Sequence, residues 1–301
     1  LTIVSADDTL PYERALLSKG YLAGEQHLKS ILIGDEAFYE DHGIEVRLST
    51  HAGKVDLENR QLQTDSGDTL NFGKLVIATG AHPRHFPDLR EIPNGLYYLR
   101  SVSDSSLIPD RSQGARQAAV IGGGFIGMEV ASVLARKGVE TTLALPEERV
   151  WERFFMPEMS RFFEKYYQDR GVRFLRKATV NSIVEAGKRI RATLKSGDEI
   201  EADLIVAGIG AVPATELFEG AGLRIDRGIA VNEYLETGIK DVWAAGDVTN
   251  YHDVIFGRNR HAEHWDNAVE QGKHIARALT GDRAPFVHVP YFFSDVFDLS
   301  Y

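Results

Sequence analysis

A chain of 301 residues, 43% of them hydrophobic, can bury a large core and is long enough for two domains or more. Its formal net charge of -10 excludes nucleic acid or an anionic membrane as the main partner, because a phosphate-binding surface needs a basic stripe. Cysteine is absent, which removes disulfide chemistry, thiol nucleophiles and cysteine-held metal clusters together, so redox work must use a bound cofactor.

No stretch approaches the ~18 unbroken apolar residues of a membrane span, and a cytoplasmic location is expected. The chain begins at Leu1 without methionine, signal peptide or transit segment, and is expected to have been cut or to begin within a domain. Residues 1–5 have strand character and run into Asp7 and Asp8, which suit the ribose hydroxyls of a dinucleotide fold or form a solvated acidic turn. Arg14, Ser18 and Lys19 then offer two cations and a hydroxyl to a phosphate or a cofactor ring. Residues 44–46 read as a strand, and residues 51–70 as a small antiparallel meander with turns at 58–60 and 66–68. The meander leads into residues 74–80, a buried strand whose small end, Ala78-Thr79-Gly80, lets a ligand sit against the backbone. Residues 102–116 are rich in Ser, Asp and Gln and read as a linker.

Residues 118–131 form an apolar strand, a turn at Gly122-Gly123-Gly124-Phe125-Ile126-Gly127, and a helix that carries Glu129 and closes at Gly138. This is a dinucleotide-phosphate cradle: Gly122 permits the tight turn, Gly124 admits the pyrophosphate, and Gly127 lets the helix press on the strand. The helix N-terminus adds the positive end of a dipole. After the strand at 139–145, Glu147 lies about 20 residues past the last glycine, where a carboxylate holds the adenosine ribose and repels a 2′-phosphate. NAD is therefore favoured over NADP, with Arg149 able to soften the preference.

The aromatic and methionine stripe at 154–167 has helical spacing and reads as core packing. Residues 171–175 read as a strand, and 179–202 as a hairpin region broken at 196–198. Residues 202–210 then repeat the plan of a buried strand stopping at glycine, Gly210, which implies two nucleotide-binding units. A further strand at 241–248 ends in Gly246-Asp247, where Asp247 accepts from sugar or ribityl hydroxyls or caps a helix. His261 and His264 open a helix; no third ligand is placed by sequence, so they read as structural or solvated and no metal is expected. The chain ends in residues 289–301, an aromatic strand that stops without a partner.

Six motifs carry a resemblance that covers nearly the whole chain: Leu10-Pro11-Tyr12-Glu13-Arg14 with Leu17-Ser18-Lys19, Ala78-Thr79-Gly80, the glycine cradle, Ala245-Gly246-Asp247, Glu263-His264-Trp265, and Tyr291-Phe292-Phe293-Ser294-Asp295. The chain resembles the pyridine-nucleotide flavoprotein oxidoreductases of the ferredoxin reductase type, with rubredoxin reductase, apoptosis-inducing factor and monodehydroascorbate reductase as relatives. The resemblance implies an α/β fold of two Rossmann-like, three-layer ββα nucleotide-binding domains, the NAD domain inserted in the FAD domain, plus the start of a C-terminal α+β domain. The implied boundaries are 1–101 and 229–283 for FAD, 102–228 for NAD(H), and 284–301 for the C-terminal start. The family's FAD glycine motif is expected before Leu1 and most of its C-terminal domain after Tyr301. Ala15-Leu16 replaces the usual Pro-Pro, and Ala6 stands where several relatives carry the ribose acid, which leaves Asp7 as the substitute.

Carried over residue by residue, the resemblance makes Arg14 and Lys19 flavin-side contacts, with Lys19 near the isoalloxazine. Thr79 and Gly80 line FAD, Arg84 reaches it, and Asp247 holds its ribityl or pyrophosphate region. Glu129 lies beside the nicotinamide or simply complements the helix N-terminus, while Glu263 and Trp265 lie close to both rings, with His264 between them. Lys19, Glu129 and Trp265 are the expected catalytic residues. The implied activity is FAD-dependent transfer from NADH to an external acceptor, a ferredoxin- or rubredoxin-type iron-sulfur or small redox carrier, with no redox disulfide. A reductase of a small radical or quinone, and an NADH-sensing assembly protein, are the alternatives. A homodimer is compatible with each.

Overall fold

The computed structural model describes residues 1–87, 89 and 91–301. The chain forms two compact units: Leu1–Tyr12, Ile33–His82 and Val212–Phe292 make the first, and Glu13–Leu32, Pro83–Ala211 and Phe293–Tyr301 the second.

In the first unit Thr2–Val4 pairs parallel with Glu45–Arg47, and Leu75–Ile77 pairs parallel with Val242–Ala244. The meander consists of Ala52–Asp56, Gln61–Thr64 and Thr69–Asn71, all antiparallel. Ile229–Val231 lies parallel to Thr249–Asp253, which turns back antiparallel as Arg258–Arg260. Ile77, Ile229, Leu235, Ala244, Val248 and Tyr251 form the core. The helix Trp265–Leu279 turns Asn267, Gln271, His274 and Ile275 inward, so its buried stripe is largely polar. The expected strand at 74–80 is shorter and less buried than its apolar run suggests: Ile77 is 2% exposed but Val76 is 39% exposed.

The second unit is built on a five-stranded, wholly parallel sheet in the order Val172–Leu175, Glu140–Ala144, Gln117–Ile121, Leu204–Ala207 and Leu96–Tyr98. Central strands of such sheets are apolar on both faces, and Ala118 through Ile121 and Leu204 through Ala207 are all buried. The helix Phe125–Arg136 packs on the sheet through Met128, Val130, Ala131 and Leu134. It ends in a Schellman arrangement: Gly138, at φ +79°, donates to Ala135 and Val139 donates to Leu134. The antiparallel strands Val180–Ala186, Arg189–Leu194 and Glu199–Ala202 supply the region read as a hairpin.

Three expectations are corrected here. Residues 102–116 are not a linker, since Val102–Ser112 is a helix. Ser101 accepts from the Asp104 N–H at 3.1 Å and the Asp104 carboxylate accepts from the Ser101 N–H at 2.8 Å, so a reciprocal capping box starts a helix that polar composition concealed. The stripe at 154–167 splits. Phe163 and Tyr167 are buried on the helix Pro157–Gln168, whereas Phe154, Met156, Met159 and Phe162 are exposed. The last aromatic segment is not one unpartnered strand: Asp295–Val296 and Leu299–Ser300 pair with each other, turning through Phe297 at φ +53°.

Candidate functional site

The glycine turn joins the strand Gln117–Ile121 to the helix Phe125–Arg136 within the second unit. Gly122 has φ +113°, and a Cβ there would lie 2.2 Å from the Gly208 carbonyl oxygen. Its N–H donates to Ala144 at 2.8 Å, which ties the turn to the end of the next strand. A Cβ on Gly127 would meet the Gly122 oxygen at 1.9 Å, so the helix can press on the turn only without a side chain there. Gly124, the residue before the helix, is different: a Cβ would meet nothing within 4 Å and would project into open space at the helix N-terminus. Phe125 turns towards Trp151 and Phe154, with ring centroids 5.6 and 5.4 Å away, while Ile126 is exposed.

One turn into that helix, Glu129 is 1% exposed. Three side chains converge on it. Lys19 Nζ pairs with Oε1 at 2.7 Å, Ser294 Oγ donates to Oε1 at 2.6 Å, and Ser18 Oγ donates to Oε2 at 2.5 Å. The Phe293 ring lies over the Lys19 ammonium at 5.3 Å. An ionised carboxylate can be kept in so dry a place only by such donors. Glu129 is therefore more than a complement to the helix dipole, and Lys19, read separately as a flavin contact, is its partner. Ser294 was not singled out from sequence; its only signal was its place in the Tyr291-Phe292-Phe293-Ser294-Asp295 motif. Around the same pair, burial, with the nearby phenol of Tyr301 and the Glu129 carboxylate adding to it, pushes the Tyr167 hydroxyl well above its usual range.

Elsewhere in the second unit, Arg14 donates to the Arg100 carbonyl. Arg84 is exposed, and its backbone N–H donates to Gly210, itself at φ +108°. Glu147 is half-buried three residues beyond the strand Glu140–Ala144, and its carbonyl accepts from the Lys177 N–H.

In the first unit, Ala78 and Thr79 are exposed at the carboxyl end of Leu75–Ile77 and Gly80 has φ +69°. The Thr79 hydroxyl donates to the Ala214 carbonyl at 2.7 Å. Beside that end, Ala245 donates to Ile77, and the buried Gly246 N–H donates to Gln271 Oε1 at 2.7 Å, leaving Asp247 partly exposed. The Asp7 carboxylate accepts from the Tyr12 hydroxyl at 2.7 Å. His261 bridges the Thr249 carbonyl at 2.9 Å and the exposed Glu263 carboxylate at 3.0 Å. The Glu263 hydrogen bond raises the His261 pKa above the usual imidazole value against the opposing effect of burial. His264 stands just before the helix Trp265–Leu279, against the Phe292 ring, and burial lowers its pKa. Trp265 is 37% exposed. Among the described residues no cluster of three or more His, Asp or Glu side chains could hold a metal ion, and no helix is long and apolar enough to cross a membrane.

A family model described as pyridine nucleotide-disulphide oxidoreductase matches residues 1–272. The chain is 35% identical over its full length to the peroxisomal monodehydroascorbate reductase 4 of Arabidopsis thaliana, of which it spans 66%. It is 31% identical to the ferredoxin–NAD(+) reductase component of the anthranilate 1,2-dioxygenase system of Burkholderia cepacia, covering 99% of this chain and 73% of that protein. A chain of the covalent putidaredoxin reductase–putidaredoxin complex superposes with a TM-score of 0.94 at 30% identity, over 99% of this chain and 73% of that one. Together with the parallel sheet, these matches make the fold α/β with Rossmann-type units.

Proposed function

The chain belongs to the pyridine nucleotide-disulphide oxidoreductase family, and from that premise we propose that it binds FAD and NAD(H) and passes electrons from NADH through the flavin to an external acceptor, a small iron-sulfur carrier of ferredoxin or rubredoxin type. The observation that carries this reading is the glycine cradle, open at Gly124 and followed one turn later by the buried Lys19–Glu129 pair. The residues present fit the NADH site, and they fit part of an FAD site whose glycine motif is expected before Leu1. An open cradle at a helix N-terminus suits a pyrophosphate, and the carboxyl ends of two parallel strands, exposed at Ala78 and Thr79 and partly exposed at Asp247, suit a second nucleotide.

When bound, the cofactors supply hydride transfer from nicotinamide to flavin and the onward delivery of electrons. The protein supplies position and charge. The turn from Gly122 to Gly127 orients the NADH pyrophosphate, and Glu147 accepts from the adenosine ribose. Ser18 and Ser294 fix Glu129, Glu129 fixes Lys19, and the Lys19 ammonium would offer positive charge to a flavin held beside it. Asp7, Arg14, Thr79, Gly80, Arg84, Gly246 and Asp247 serve FAD, while Glu263, His264 and Trp265 flank the reacting rings. On this reading residues 1–101 and 229–283 hold FAD and residues 102–228 hold NADH.

The 35% identity to a monodehydroascorbate reductase favours a second reading in which the acceptor is a small radical or quinone. Anaerobic addition of NADH to the flavin-loaded protein, followed by a panel of acceptors, separates the readings. Rapid bleaching of the flavin and preferential reduction of ferredoxin or rubredoxin is expected, and preferential reduction of monodehydroascorbate would install the second reading. A slow, long-lived charge-transfer band with no turnover would overturn both in favour of an NADH sensor.

A further inference from the structure

Arg149 lies two residues beyond Glu147, on the stretch that follows the strand Glu140–Ala144, whose last carbonyl holds the Gly122 N–H. An arginine placed there is the ordinary means of accepting a 2′-phosphate. In this chain three of its five N–H donors are already engaged by the protein. Arg149 Nη1 donates to the Phe155 carbonyl at 2.7 Å and to Ser160 Oγ at 2.7 Å, and Nη2 donates to the Glu152 carbonyl at 3.0 Å.

Ser160 is the fixed point of that arrangement. It is fully buried on the helix Pro157–Gln168, and its own hydroxyl hydrogen goes to the Val150 carbonyl at 2.7 Å, which leaves an oxygen lone pair facing Arg149. Of the other cations near the strand end, Lys177 pairs with Glu148 at 2.7 Å and Arg176 with Glu164 at 2.6 Å. By contrast, no hydrogen bond or ion pair to the Glu147 carboxylate is found among the described residues. The acid is left available to a ligand, while Arg149, Arg176 and Lys177 each bind protein groups.

We infer that Ser160 pins Arg149 away from the nucleotide, and that this lock, added to the charge of Glu147, sets the preference for NADH over NADPH. The inference rests on the reading of the cradle as an NADH site. Removing the acid alone lifts a repulsion but supplies no cation, because Arg149 must still abandon three acceptors to reach a phosphate. Selectivity therefore has two separable parts, and Ser160 is a positioning residue for the second.

The test measures the ratio of NADP+ to NAD+ dissociation constants for the oxidised, flavin-loaded protein by titration calorimetry, because the oxidised nucleotides occupy the same site without reducing the flavin, in Glu147→Ser, in Glu147→Ser/Ser160→Ala, and in the triple variant that adds Arg149→Gln. Glu147→Ser should improve the ratio about fivefold, on the scale of one exposed charge pair. Adding Ser160→Ala should improve it about tenfold more, with a gain that shrinks as salt rises, and Arg149→Gln should abolish the second gain. Should Ser160→Ala fail to fold, Glu147→Ser/Arg149→Lys, which keeps the charge and breaks the fork, should show the salt-dependent gain instead. A second gain that is absent, or that survives Arg149→Gln, overturns the lock. A wild-type protein that binds neither nucleotide overturns the NADH reading itself, a distinct result.

Discussion

Glu129 and Lys19 show what a single residue contributes when water is excluded. With 1% and 9% of their surfaces exposed, neither charge can be left alone cheaply. Glu129→Met should destabilise the protein by about 3–5 kcal/mol because it strands the Lys19 ammonium, whereas Lys19→Met/Glu129→Met should lose much less. Urea unfolding of the four corners of that cycle measures it, and equal losses in single and double variants would refute the pairing. The glycines separate in the same way. Gly127→Ala drives a Cβ into the Gly122 carbonyl and should cost about 1–3 kcal/mol. Gly124→Ala meets no protein atom, so its melting temperature should stay near that of the parent while the NADH dissociation constant rises and the yellow colour of bound flavin is kept. Loss of the flavin in Gly124→Ala would contradict the cradle assignment. His261 adds a pH effect. Its pKa is raised first by the Glu263 hydrogen bond, so this bond's stabilisation is complete below the unfolded value near 6.5 and is lost as pH rises through the raised folded value. Glu263→Gln should therefore lower Tm at about pH 6 and have little effect by about pH 9. A Tm difference that does not change with pH would count against it.

Among the elements, those whose side chains repeat with a clear period could be read ahead, and those stabilised by local polar bonds could not. The strands Gln117–Ile121 and Leu204–Ala207 announce themselves as apolar runs, and the meander at 52–71 by its turn residues. The helix Val102–Ser112 hid behind serines and aspartates, although Ser101 and Asp104 have the spacing of a capping box and Val102, Ser105 and Ile108 supply a narrow buried stripe. Ser101→Ala should cost about 1 kcal/mol in unfolding free energy. A change of only a few tenths would mean that packing, rather than the cap, starts this helix. The hairpin at 295–300 was missed for a related reason: its turn places Phe297 at φ +53°, a conformation that aromatic sequence does not signal.

On the scale of the whole molecule, composition alone removes one route for electrons. With no cysteine in the chain, NADH-dependent reduction of the acceptor should survive prior treatment of the protein with N-ethylmaleimide, provided the carrier protein is left untreated. Inhibition would point to a thiol this chain does not possess. The sequence by itself determined the glycine turn and the acid placed after it, because these depend on local spacing along a strand and a helix, while its resemblance to a known family carried the α/β class and the cofactors. Only the tertiary structure decided that Ser294 and Ser18 close on Glu129, that Glu129 belongs to Lys19, and that Arg149 is held by Ser160. Residues 18, 129 and 294 lie far apart in the chain, and folding gathers them by burying apolar surface around them. The need to satisfy a charge taken out of water then selects which side chains meet.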